Sequence, residues 1–472
     1  MRIAILILYL AVIMGIGYYA SRLIKNSDDF LLAGRRLGLF AAAATLAATH
    51  FGGGYVMGVG EDGFSVGLSG LTYAVGTGLG LIALGLVAAK PLRKLGLYTI
   101  TDYLELRYQS KVVRVLGALL SLVAIVGIVA AQVGATSGAL AIIDVDATTG
   151  AIIATILFVA YTAFAGMWGV TMTDALQIII IFIGLPISAL LGMQAVGGWE
   201  GMQQAVAGMD LEVSTEAYFS LTGIGVPAMI GIVTPVIMYD LIGQDFYQRL
   251  FSAKDSTTSR NAAVLAGVVL VAFGVFPALS GMAARAKFGD IDPTSAIPQL
   301  VTEVLPLGIG TLVVAAIIAA VMSTADSLLI AGTSHLTNDF YRHIFNPGKK
   351  MQSKQMLYIS RVGTIVLGIL ALGMHLAIPG IISLLIFSYT MYASGVFIPV
   401  VAGIFWKRGN AQGAIAGIIA GGVVGLLGEL GFIDFGAVPS IGAGGIASLI
   451  AYVAVSLATP PPKPPKETLH QG

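Results

Sequence analysis

A chain in which one apolar run of about twenty residues follows another, with short polar breaks between, has few folds open to it. Roughly thirteen runs long enough to span a bilayer as helices lie at 3–21, 37–60, 67–90, 113–141, 147–167, 172–197, 220–248, 261–284, 306–338, 357–377, 380–404, 411–430 and 437–458. Over 472 residues the composition is 57% hydrophobic and 10% charged, with a mean hydropathy of +0.91, which excludes an ordinary soluble chain. Backbone polar groups in hydrocarbon must be satisfied within the spanning segment, so the expected fold class is all-α and polytopic.

The basic residues set the expected orientation. Arg22, Lys25, Arg35 and Arg36 follow the first run, and Lys90, Arg93, Lys94, Arg107, Lys111 and Arg114 follow the third. Every second loop continues the series, through Arg249, Lys254 and Arg260, then Arg342 to Arg361, Lys407 and Arg408, and the tail. All but Arg2, Arg285 and Lys287 of the 25 fall on one side, which predicts an odd number of spans with the N-terminus outside and the C-terminus inside. The first run also fits a signal peptide with a loose cleavage site at Tyr19-Ala20-Ser21, although it is as long as a full span. With no cysteine in the chain, disulfides and thiolate metal sites are excluded. One transmembrane domain is expected over 1–459, made of a peripheral helix 1–22, two halves at about 37–197 and 220–404, and accessory helices at about 411–458. The proline-rich tail 460–472 reads as disordered.

Two runs have interrupted sequences. The second carries Gly52-Gly53-Gly54 at mid-depth, and the seventh carries Gly223, Gly225, Pro227 and Pro235. Single glycines serve tight helix crossings equally well. As a pair in corresponding positions of two halves, broken helices mark a solute and ion site. If the first run is peripheral, the two breaks open the first helices of two five-helix halves of opposite topology.

Unwound backbone in a membrane leaves carbonyl oxygens that a small hard cation can satisfy. In the ninth run Ala320, Ser323, Thr324 and Ser327 share one helical face, and three hydroxyls there can ligate a cation without adding charge. Hydroxyls at this spacing also bond back to the preceding turn or hold helices together. Asp326 lies beside that face, and Asp174 opens the sixth run near the cytoplasmic side. Carboxylates inside spanning helices are functional candidates, while a helix cap for Asp174 and a polar partner for Asp326 are the structural readings. His50 precedes the glycine break, where it could bond a solute, carry a coupling proton or simply pack. Tyr239, Asp240 and Gln244 follow Pro235 and can face the same cavity, with Asp240 equally placed to form a cytoplasmic gate with Arg249 or another basic residue.

These stretches resemble the sodium:solute symporter family, which includes proline, pantothenate, sugar and choline carriers. The resemblance rests on LLAGRRLGLF (31–40), LAATHFGGGYVMG (46–58), AKPLRKLGLYTITDYLELRY (89–108), YTAFAGMWGVTMTDALQ (161–177) and AAVMSTADSLL (319–329). It implies thirteen helices in a five-plus-five inverted repeat of the LeuT type with discontinuous helices. It implies a sodium site from the carbonyls of Ala48, Phe51 and Ala320 and the hydroxyls of Ser323 and Thr324. The second sodium of some members maps onto Asp174, Ser323, Asp326 and Ser327, with a carboxylate at 326 where those members use a hydroxyl. Within the family the nearest motif likeness is to the high-affinity choline branch, through the glycine break, Gly134-Ala135-Thr136 with Asp144-Val145-Asp146, and Gln248-Arg249. The cage tryptophans expected of that branch fall on His50, Ile125 and Gly243, and its tyrosine on Gly78. Choline is therefore not the expected substrate, and a smaller-walled, more polar cavity around His50, Gly53 and Gln132 is.

The expected function is sodium-coupled import of a small polar solute of the amino acid, carboxylate or amine class across the cell membrane. Proton coupling on the same fold, or carriage of a quaternary ammonium, are the alternatives. No HExxH, nucleophile elbow or GxxxxGK[ST] loop is present, so neither an enzyme nor an ATP-driven pump is expected. The expected partners are the solute, sodium and the lipid bilayer, with no organic cofactor and no nucleic acid. The oligomeric state stays open.

Overall fold

The computed structural model describes residues 2–141, 145–347, 353–378, 381–436 and 438–462. Asp144 of the choline-like motif and residues 463–472 of the proline-rich tail lie outside the described residues. Among those described there is no strand, only an isolated backbone bridge between Leu37 and Ala253.

The helices that position the site are α1 (Arg2–Ser21), α2 (Leu39–His50), α3 (Val59–Val66), α4 (Leu71–Leu84), α5 (Lys111–Ala141) and α6 (Ala147–Ala195). They continue with α7 (Val226–Asp240), α8 (Gln244–Ser252), α9 (Ser256–Phe273), α10 (Val275–Phe288), α11 (Leu307–Ser334), α12 (Ser353–Ala377), α13 (Ile381–Phe405), α14 (Ala411–Glu429) and α15 (Ser440–Ala458). Polar side chains in the connecting turns cap the starts. Asp146 accepts from the Thr149 amide, Asp255 from Thr258 and Asn410 from Gly413, each satisfying an N–H that the first turn leaves unpaired.

Among the described residues nine helices are long and apolar enough to cross a membrane, or ten when the α7–α8 pair is taken as one bent span. The 49-residue α6 holds two of the sequence runs. At Gly166 (φ 52°, ψ −164°) the helix reverses, because the hydroxyls of Tyr161 and Thr173 lie 2.8 Å apart where a straight helix would separate them by about 18 Å. A Cβ at 166 would come within 2.7 Å of the Phe30 ring, so only glycine fits this corner.

Helix α11 is the centre of the bundle. Of its most apolar window 78% is buried, against 28% in α15, so α15 faces outward and α11 is packed on all sides. Helix α1 lies against α6, with Tyr9, Ile13 and Ala20 buried and the Tyr9 hydroxyl accepting from Gln177.

Of the two expected breaks, the first falls at its glycines. The second does not lie at Gly223, Gly225 or Pro227. Gly225 precedes α7, Pro227 sits in its first turn, where a missing N–H costs nothing, and Pro235 is accommodated inside the helix. The chain leaves helical geometry after Asp240, at Leu241–Gly243, and α8 departs at 48° to α7.

Candidate functional site

The two breaks face each other. The His50 ring at the end of α2 stacks on Phe246 of α8 (centroids 4.5 Å), and its Nε2 lies 3.0 Å from Oδ1 of the buried Asp240 at the end of α7, off the line of an ideal hydrogen bond. Between them is a small cavity that is partly open to solvent. Thr49, His50, Gln132, Thr324, Asp245 and Tyr239 give it polar groups, and Tyr55, Tyr73, Phe246 and Tyr389 give it aromatic walls.

Glycine is what allows α2 to break against α11 and α5. A Cβ at Gly52 would lie 2.6 Å from the Thr324 hydroxyl, and one at Gly53 2.7 Å from the Ala135 methyl. The Gly53 amide, freed from the helix, donates to Gln132 Oε1 at 3.0 Å.

At this break the face of α11 meets the end of α2. The Ser323 hydroxyl lies 2.6 Å from the Ala48 carbonyl and 2.8 Å from that of Ala320. Thr324 lies 2.8 Å from the Thr49 carbonyl and 3.2 Å from Ala320. Each hydroxyl has one proton for two acceptors, so a cation among these oxygens would replace the protons as the shared electropositive partner. Phe51 sits at the break itself, fully buried with its amide on the Ala47 carbonyl and its ring edge-on to Tyr55 at 4.9 Å.

A second polar cluster lies beside the first. Asp174 is inside the arm of α6 that follows Gly166, so it is no helix cap, and its carboxylate accepts from the Thr45 hydroxyl. Ser327 donates to the Ser323 carbonyl at 2.5 Å and touches Thr49 at 3.1 Å. Asp326 accepts from Thr162 at 2.8 Å, and its other oxygen is buried without a hydrogen-bond partner, as is one oxygen of Asp174. Into this cluster reaches Arg249, which charge counting assigns to a cytoplasmic loop. Its side chain is wholly buried, bonded to the Thr45 backbone and hydroxyl, the Asp245 carbonyl and the Ser327 hydroxyl, and 3.9 Å from Asp174. The bend at Gly243 turns α8 inward and carries Arg249 with it, so Arg249 makes no gate with Asp240; the partner of Asp240 is His50.

Gln244 is not in the cavity wall. Both ends of its amide are taken by backbone, accepting from Ile100 at 2.8 Å and donating to Tyr98 at 3.2 Å, and so it fastens α8 to the 98–100 segment. Sequence reasoning missed Asp245, Phe246, Tyr73 and Tyr389. Asp245 and Phe246 were within reach, since they follow Gly243 at the second break. Tyr73 and Tyr389 look like any aromatic residue of a spanning helix.

A match to the Sodium:solute symporter family runs over residues 30–421. The chain is 30% identical over 401 residues to the High-affinity choline transporter 1 of Drosophila melanogaster, covering 80% of this chain and 62% of that protein. To the Sodium/glucose cotransporter of Vibrio parahaemolyticus it is 26% identical over 454 residues, with 89% and 83% covered. To the High-affinity proline transporter PutP of Bacillus subtilis it is 29% identical over 469 residues, with 95% and 96% covered. The solved structure of a Na+-coupled sialic acid symporter in a substrate-bound outward-open state has the same fold, with a TM-score of 0.85 at 23% identity over 98% of both chains. MhsT in complex with L-phenylalanine is a more distant likeness, with a TM-score of 0.58 at 13% identity over 90% of this chain and 99% of that one. This multi-pass membrane protein belongs to the sodium:solute symporter family.

Proposed function

We propose that the protein is a sodium-coupled symporter that imports a small polar organic solute by alternating access, and that it performs no catalysis of its own. One observation carries the reading. The hydroxyls of Ser323 and Thr324 reach the carbonyls of Ala48 and Thr49 where α2 breaks, and Thr49 and Thr324 also line the central cavity. Sodium, here a cargo, would be held by Ser323, Thr324 and the carbonyls of Ala48, Phe51 and Ala320. Bound there, it ties α11 to α2 and favours the conformation in which that tie is closed. A solute that prefers the same conformation binds it more tightly when sodium is present, and sodium binds more tightly when the solute is present. A second sodium at Asp174, Ser323, Asp326 and Ser327 would share its cluster with the guanidinium of Arg249.

The test is uptake of labelled amino acids, amines and carboxylates into proteoliposomes of the purified protein, under a sodium gradient, a proton gradient or neither. The reading expects uptake that requires sodium, and sodium-independent uptake would overturn it. Proton coupling is the second reading, favoured by the His50–Asp240 pair at the cavity. It expects proton-driven uptake that is lost in His50→Gln.

A further inference from the structure

We propose that the cavity recognises its solute by a protonated amine, held by the carboxylate of Asp245 among the faces and hydroxyls of Tyr73, Tyr239 and Tyr389. This rests on the reading of the cavity as a solute site and names the class of solute.

The charges around the cavity are unevenly matched. His50, the basic side chain in the wall, faces Asp240 at 3.0 Å, and Arg249 behind it faces Asp174. Among the described residues Asp245 has no cationic partner within ion-pair distance, although Arg249 and His50 lie near enough to act on it through space. It is buried and lines the cavity, and Arg249 reaches its backbone carbonyl rather than its carboxylate. From another side chain the carboxylate accepts only the Tyr239 hydroxyl at 3.2 Å among the described residues. Its place in the first turn of α8 gives it support from the helix N-terminus. That support explains why a carboxylate is tolerated, and leaves its opening into the cavity unexplained.

The backbone adds to the same field. Helices α2 and α7 both end at the cavity, at His50 and Asp240, and so direct two negative helix ends toward it. The walls suit a cation as well. The Tyr239 and Tyr389 rings lie 4.8 Å apart and tilted, Phe246 meets Tyr239 edge-on at 5.8 Å, and the Tyr73 and Tyr389 hydroxyls are 3.4 Å apart. Aromatic faces attract an ammonium group, and tyrosine oxygens and a carboxylate accept its N–H bonds. A solute recognised by a carboxylate of its own would meet Asp245, and among the described lining residues no lysine or arginine is there to hold it.

The experiment is thermal unfolding of the purified protein in detergent with ethanolamine, proline, choline or lactate, each in sodium and in potassium chloride. Ethanolamine or proline is expected to raise the midpoint in sodium, and lactate to leave it unchanged. Their relative effects separate simple amines from amino acids. Asp245→Asn keeps a polar partner for Tyr239 and should weaken the apparent amine affinity roughly tenfold to a hundredfold, the usual worth of a hydrogen bond to a charged group. Asp245→Glu should restore part of it, and the shift caused by sodium alone should survive in both. Stabilisation by lactate, by no ammonium-bearing solute, or by amines equally in wild type and Asp245→Asn overturns the proposal. Choline that binds both proteins alike overturns it too, since the aromatic faces would then suffice. Amine stabilisation that is lost in Asp245→Asn but indifferent to sodium supports the amine site and counts against sodium coupling.

Discussion

Arg249 and Asp174 face each other at 3.9 Å with both side chains wholly buried, and the Ser327 hydroxyl also accepts from Arg249. The pair joins α8 to α6 next to the face of α11 that carries Ser323 and Thr324. Removing one partner of a buried pair leaves an uncompensated charge, which costs about 3–5 kcal/mol. Arg249→Gln and Asp174→Asn should each lower the unfolding midpoint sharply, and the double variant should lose less than the sum of the two. Additive losses in a double-mutant cycle would show that the two residues act independently.

The glycine break predicts a graded effect on ion binding. A methyl group at 52 presses on the Thr324 hydroxyl, whereas one at 53 presses on Ala135 and leaves Thr324 alone. Gly52→Ala should therefore raise the sodium concentration needed for half-maximal stabilisation. Gly53→Ala should disturb the Gln132 contact and change solute binding more than sodium binding. Sodium titrations of the unfolding midpoint read both.

Gln244 separates a cavity residue from a fastening one. With both ends of its amide on the backbone of residues 98–100, Gln244→Ala leaves buried groups unpaired and should cost about 1–3 kcal/mol of stability. Once folded, the variant should bind solute with unchanged affinity. A large loss of solute affinity at unchanged stability would put Gln244 back in the site.

Apolar run length carried most of the architecture into the sequence, because hydrocarbon leaves the backbone no alternative to helix. The turn at Gly166 separates the two runs 147–167 and 172–197 even though helical geometry resumes at once on its far side. The first break was legible in three consecutive glycines. The second was masked by Gly225 and Pro227, which begin a helix as readily as they interrupt one, while the actual bend at Gly243 carries one glycine among ordinary residues. Charge counting places Arg249 in a cytoplasmic loop because it treats each basic residue as a loop residue. That rule has no term for an arginine turned inward to meet a buried carboxylate. Of the aromatic wall Tyr73 and Tyr389 escaped, because they lie on helices distant in the chain from Tyr239 and only packing brings the three together.

Sodium should stabilise the folded protein by mass action. At about a hundred times its dissociation constant the gain is about 2.7 kcal/mol, seen as a higher unfolding midpoint in sodium than in potassium at equal ionic strength. Equal midpoints in the two salts would argue against a selective site.

Equilibrium binding of radiolabelled sodium to the purified protein tests the central claim most directly, because it needs no knowledge of the solute. The account predicts saturable binding that potassium does not displace, lost in the folded Ser323→Ala/Thr324→Ala double variant and retained in Gln244→Ala. Sodium binding of equal strength in the double variant and the wild type would contradict it.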